Sequence, residues 1–111
     1  MDSISAIVAL KALDGLEARS IVTAENIANG GTAGYRPLQV TFEQALKAAA
    51  GRGVAALEAV TPKIELNSAH PALRLDLEMA TAASTAGRYG ALIELLSRQM
   101  QLSAIAVSGG R

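Results

Sequence analysis

A chain of 111 residues allows one domain at most. Half of it is apolar, yet it holds one Phe, two Tyr and no Trp, so Ala, Leu, Ile and Val must build any core with little buried area per residue. Ten basic residues balance ten acidic ones with no basic stripe, which excludes an electrostatic footprint for nucleic acid, and the absence of cysteine excludes disulfides and thiol catalysis.

A domain of this size has a poor ratio of core to surface. An isolated monomer is therefore expected to be marginal, with part of its apolar surface meant for partners. Met1-Asp2-Ser3-Ile4 carries no basic n-region, so no cleaved signal peptide is expected. The apolar stretch from Ala6 to Leu13 is interrupted by Lys11 and closed by Asp14, well short of the roughly 20 residues of a membrane span.

The first predicted element is a helix over 3–29. Ile4, Ile7, Val8, Leu10, Leu13, Leu16, Ile21, Val22 and Ile27 recur mainly at three- and four-residue steps. Gly15 reads as a mild defect within it, and Asn29-Gly30-Gly31 as its stop. Thr32 to Pro37 reads as a turn or short extended piece. Thr41-Phe42-Glu43-Gln44 has the form of a capping box and predicts a short helix over about 42–50. Residues 51–72 read as a flexible middle segment, in which Val60 to Leu66 could be extended, with Pro62 keeping it at an edge.

The last predicted element is a helix over 76–107, with Asp76 as its N-cap and Glu78 in its first turn. Met79, Ala82, Ala86, Tyr89, Ile93, Leu96 and Met100 follow one another at alternating three- and four-residue steps, a heptad seam. Ala80 to Gly87 holds only Ala, Thr, Ser and Gly, which suits close helix packing in a dense assembly. The expected fold is all-α: two long terminal helices in an antiparallel hairpin or coiled coil, a short third helix and a flexible middle. Ile93, Leu96, Met100 and Leu13 are the expected buried packing residues.

Candidates for chemistry are few. His70, the single histidine, reads as an exposed loop residue with no second ligand at metal spacing. Asp76 and Glu78, two apart on a helix, do not face each other as an acid and base pair would. Gly30-Gly31-Thr32-Ala33-Gly34 follows a helix and lacks the Lys of a phosphate loop. Ser20, Ser84, Ser97 and Ser103 stand in no nucleophile elbow, and Tyr35 and Tyr89 read as packing residues. No catalytic, cofactor-binding or metal-binding residue is assigned.

Ala24, Asn26, Ile27, Ala28, Asn29, Thr32, Gly34 and Tyr35 stand in the order A-x-N-[IL]-A-N-x-x-T-P-G-Y, with Ala33 in place of the Pro. That stretch resembles the N-terminal signature of the flagellar rod, hook and axial proteins. Leu75-Asp76-Leu77-Glu78-Met79, followed by Arg88-Tyr89 and the run to Ile105, resembles the C-terminal helix of the same family. His70-Pro71-Ala72-Leu73 stands where an Asn-x-Val often precedes that helix. Val40-Thr41-Phe42-Glu43-Gln44-Ala45-Leu46 is similar to the V-x-F-E-x-x-L of the proximal-rod type, which the short length also suits.

The resemblance implies a structural subunit and not an enzyme, without cofactor or small-molecule substrate. It implies export through the flagellar type III apparatus without signal cleavage, and assembly in the periplasm as part of the basal body. The implied partners are further copies of the chain, other rod proteins and the adaptor that joins rod to membrane ring. Asn26, Asn29, Thr32, Gly34 and Tyr35 would set the turn after the first helix. The rival reading, a cytoplasmic helical-hairpin adaptor or export chaperone, explains the helices and zero charge but not the stretch from Asn26 to Tyr35.

Overall fold

The structure, a computed structural model, describes residues 1–109. It is mostly helical, in the order α1 (Ser3–Ala28), β1 (Leu38–Thr41), α2 (Glu43–Ala50), α3 (Val54–Glu58), β2 (Lys63–Leu66) and α4 (Leu75–Gly109). The two long helices lie against each other antiparallel. Asn26, near the end of α1, meets Glu78 near the start of α4, while Met1 and Ala6 share a shallow cleft with Leu96 and Met100.

Asp2 starts α1: its carboxylate accepts from the Ser5 N–H at 2.7 Å, satisfying one amide that the first turn cannot pair. The helix ends where Asn29 takes the C-cap. Its buried positions, Ala9, Gly15, Leu16, Val22, Thr23 and Asn26, form one stripe. Leu16 and Val22 pack there with Val40, Phe42, Leu46, Ala49 and Leu57, so one small core draws on α1, β1 and both short helices.

The middle of the chain differs in part from expectation. Residues 54–58, expected to be flexible, form α3, whereas the extended reading of Val60 to Leu66 holds: β2 pairs antiparallel with β1 at a sheet edge, in the register Leu38 to Leu66, Gln39 to Glu65, Val40 to Ile64 and Thr41 to Lys63. One turn and a half of helix is too short to display a period, and Leu57 alone anchors it, with no exposed surface. The Lys11 ammonium donates to the carbonyls of Glu58 (2.9 Å) and Val60 (3.0 Å), satisfying acceptors at the end of α3 from across the fold.

The capping box at Thr41 does not form. Thr41 is the last residue of β1, paired with Lys63, and Phe42 becomes the N-cap of α2 with no side-chain cap bond. Strand pairing thus takes the residue that the local motif would have used. Asp76 is likewise not a cap. Helix α4 begins at Leu75, the Arg74 carbonyl accepts from Glu78 N–H at 2.9 Å, and Asp76 sits in the first turn, ion-paired to Arg74 at 2.9 Å. That guanidinium holds the Asp76 carboxyl below its ordinary pKa.

The stripe by which α4 faces the rest of the chain is also displaced. Glu78, Thr81, Ala82, Thr85, Leu92, Leu96 and Gln99 are its shielded positions. Of the expected packing residues, Leu13 and Leu96 are half-buried, whereas Ile93 and Met100 are exposed. Polar anchors explain the rotation. Glu78 accepts from Asn26, Arg88 lies 3.7 Å from Glu43, and the small residues between them impose little preference of their own. No helix among the described residues is long and apolar enough to cross a membrane.

Candidate functional site

The eight signature residues converge on the end of α1 and the turn behind it. Asn26 is the centre, 1 % exposed. Its Oδ1 accepts from the Tyr35 hydroxyl at 2.7 Å and from the Leu38 N–H at 3.1 Å. Its Nδ2 donates to the Leu38 carbonyl at 2.8 Å and to Glu78 Oε2 at 3.1 Å. Two donors and two acceptor lone pairs are all that a carboxamide has, and all four are used. Only Asn does this: Asp has no donor, and Gln would displace the amide by a methylene.

Asn29 works one turn later. Its Nδ2 donates to the Glu25 carbonyl at 2.9 Å, and its Oδ1 accepts from the Thr32 hydroxyl at 3.1 Å. The Thr32 N–H donates to the Asn29 carbonyl, and the Tyr35 N–H to the Thr32 carbonyl, which closes two successive tight turns. Gly34 has φ +76, the left-handed region that a side chain would penalise, so the reversal before Tyr35 requires glycine. Burial, then the charges of Glu25 and Glu78, push the Tyr35 hydroxyl above its ordinary pKa, so it remains the donor to Asn26. Ile27 is half-buried; Ala24 and Ala28 are exposed, as is Ala33 where the family pattern has Pro.

A second network braces the other side of β1. The Arg19 guanidinium donates to both carboxylate oxygens of Glu43 at 2.7 Å and to the Val40 carbonyl at 2.7 Å, and it stands 4.8 Å over the Phe42 ring. The Arg19 hydrogen bonds hold the Glu43 carboxyl down at about 2. Arg19 and Asn26 lie two turns apart on one face of α1, and between them they satisfy the backbone of Leu38 and the carbonyl of Val40. Helix side chains thus stand in for a third strand along that edge of β1.

Glu43→Gln tests this brace. A depressed folded-state pKa means that the stabilisation is full above the ordinary value of 4.5 and is lost as pH falls through about 2. The Glu43 side chain is 42 % exposed, so solvent screening limits the effect to about 1 kcal/mol at neutral pH. Urea midpoints of the two proteins should differ at neutral pH and converge as the pH approaches about 2. A constant gap across that range would show that the charge plays no part.

The expected seam on α4 lies on the outward side of the helix in the single chain. Met79 is 58 % exposed, Ile93 42 % and Met100 73 %; Tyr89 and Ala86 are exposed, while Ala82 and Leu96 are partly shielded. Beyond Met100 the helix continues with Leu102, Ile105 and Val107 all open to solvent. The free side of this long helix therefore carries apolar residues that nothing in the single chain covers. Between α1, β1 and α4 runs a polar cleft lined by Thr23, Gln39, Glu43, Ser84 and Arg88. Among the described residues, no three His, Cys, Asp or Glu side chains are grouped so as to hold a metal ion.

The signals for these features differ in kind. Asn26 and its neighbours were visible as a motif. Arg19, Glu43 and Lys11 were not, because their partners lie 21 to 49 residues away and nothing local marks them. In comparisons with known proteins, no family model and no curated protein matches this chain.

Proposed function

We propose that the chain is a structural subunit of the flagellar basal-body rod, of the proximal type, polymerising through its two terminal helices into a hollow drive shaft. The observation that carries the reading is the Asn26 network. The residues that resemble the axial-protein signature are the ones that lock the end of α1 to the following turn, to β1 and to the start of α4. A chemical role would not need that lock. A load-bearing joint between two long helices does, because the direction of each helix then follows from the other.

The exposed seam supports the same reading. Met79, Ile93, Met100, Leu102 and Ile105 would be covered by helices of further copies and of other rod proteins, with the rod-to-membrane-ring adaptor at the base. Head-to-tail contacts of this kind continue as a helical assembly and do not close. A small core that is loose before assembly also suits passage through the type III export apparatus, and the ordering cost is met by extensive contacts in the polymer. In this reading the work is mechanical, and the chain has no substrate, cofactor or nucleic-acid partner.

Two experiments test it. Deletion of the gene should leave basal bodies that stop at the membrane ring, without a rod, when viewed by electron microscopy, and restoring the gene should rebuild them. Normal rods and hooks after deletion would move the adaptor reading to first place. Tyr89→Asp or Ile93→Asp should block incorporation while export continues, since both side chains are exposed in the single chain. Normal rods in both variants would remove the seam from the assembly surface.

A further inference from the structure

The two-stranded sheet has one edge that α1 covers and one that nothing covers. The Asn67 N–H donates to the Pro37 carbonyl at 3.0 Å, and the Leu38 N–H and carbonyl both turn to Asn26. These bonds set the phase of the pairing. Gln39 and Thr41 face Glu65 and Lys63 as bonded pairs, so the amides of Ile64 and Leu66 point away from β1. No backbone partner meets them among the described residues. The Ile64 and Leu66 side chains are 54 % and 46 % exposed although they share a sheet face with the buried Val40.

We propose that this edge pairs with the same edge of a second copy, β2 against β2 antiparallel about a twofold axis, giving a four-stranded sheet. The occupant is indicated by charge. Placing Ile64 opposite its own copy sets Lys63, which within one chain reaches Glu65 at 3.3 Å, also opposite the Glu65 of the other copy, twice by symmetry. That pair is of the non-hydrogen-bonded kind, in which side chains come closest. The Ile64 residues exchange both of their backbone bonds, and each Leu66 N–H donates to a Pro62 carbonyl.

Pro62 and Lys63 are residue types that protect edges from indiscriminate pairing. In this register neither opposes it. Pro62 contributes only an acceptor, and Lys63 projects from the sheet face toward an opposite charge. A shift by two residues, the smallest that keeps the same amides facing the partner, would set Lys63 against Lys63 or Glu65 against Glu65 and lose both charge pairs, so the edge favours one register. The pairing goes beyond the rod reading and does not depend on it: a closed twofold pair is not a head-to-tail contact.

Sedimentation equilibrium of the full chain tests the charge pairs. The native chain should dimerise, Lys63→Glu and Glu65→Lys should each weaken the dimer about tenfold by placing like charges opposite, and the double exchange should restore it. Both side chains are solvent-exposed to a third or more, so the variants retain the fold, as far-ultraviolet circular dichroism would verify. The chain lacks cysteine, so Ile64→Cys gives a second readout. Residues opposed in a bonded pair are about 5.5 Å apart at Cα, within disulfide range. Ile64→Cys should therefore crosslink two copies much faster than Val54→Cys, on exposed α3. A monomer at millimolar concentration, a double exchange that fails to restore association, or equal crosslinking at both sites would each overturn the proposal.

Discussion

Replacing Asn26 by Asp should cost about 3–5 kcal/mol, although the two side chains have nearly the same shape. The carboxylate can still accept from Tyr35 and from the Leu38 N–H. It can no longer donate, so the Leu38 carbonyl and Glu78 Oε2, now 2.8 and 3.1 Å from an amide nitrogen, would face an oxygen. Two negative groups would then share a site that is nearly closed to water. Removal of one partner from a buried network costs the desolvation of what is left, and a buried unpaired charge costs more. Asn26→Ala should fall lower, at about 2–3 kcal/mol, because it leaves unpaired groups but adds no charge. The ordering is the test. Chemical unfolding that ranks Ala as more harmful than Asp would mean that the site admits water and the network is not closed. In cells, the Asp variant should be lost to proteolysis, so its stability must be measured on purified protein.

The long helices were legible because each is long enough to repeat its pattern. The joint between them was legible only in part. Asn26, Asn29, Thr32 and Tyr35 lie within ten residues, and their turn is a local object. What the turn is fastened to is not local, since Glu78 lies 52 residues from Asn26. A period of three and four residues gives the faces of α4 but not which of two adjacent stripes turns inward. With Ala, Thr, Ser and Gly over 80–87, hydrophobicity discriminates weakly between them. The charges of Glu78 and Arg88 settle the rotation, through partners on α1 and α2. The same reason hid α3, whose single buried residue, Leu57, repeats nothing, and it cancelled the cap at Thr41, which a strand partner 22 residues further on recruits.

Gly15→Ala sets helix propensity against packing, and packing should win. In an exposed helix interior the change would stabilise by about 0.5–1 kcal/mol. Gly15 is instead buried in α1, and a methyl group there would overlap the Phe42 ring, which lies directly on the Gly15 backbone. The ring has little room to move. It is 4 % exposed, packs among Leu16, Val40 and Leu46, and carries the Arg19 guanidinium on its face. Its backbone is also the N-cap of α2, so displacing it shifts a helix as well as a side chain. Overpacking of this kind costs about 1–3 kcal/mol, and the propensity gain offsets only part of it. The net expectation is a loss of about 1–2 kcal/mol, or several degrees in Tm for a domain of this size. Gly15→Ala combined with Phe42→Leu should recover part of the loss, since a smaller side chain admits the methyl group. A stabilised single variant would mean that the ring retreats without cost, and the contact between α1 and the α2 cap would then be much looser than this geometry requires.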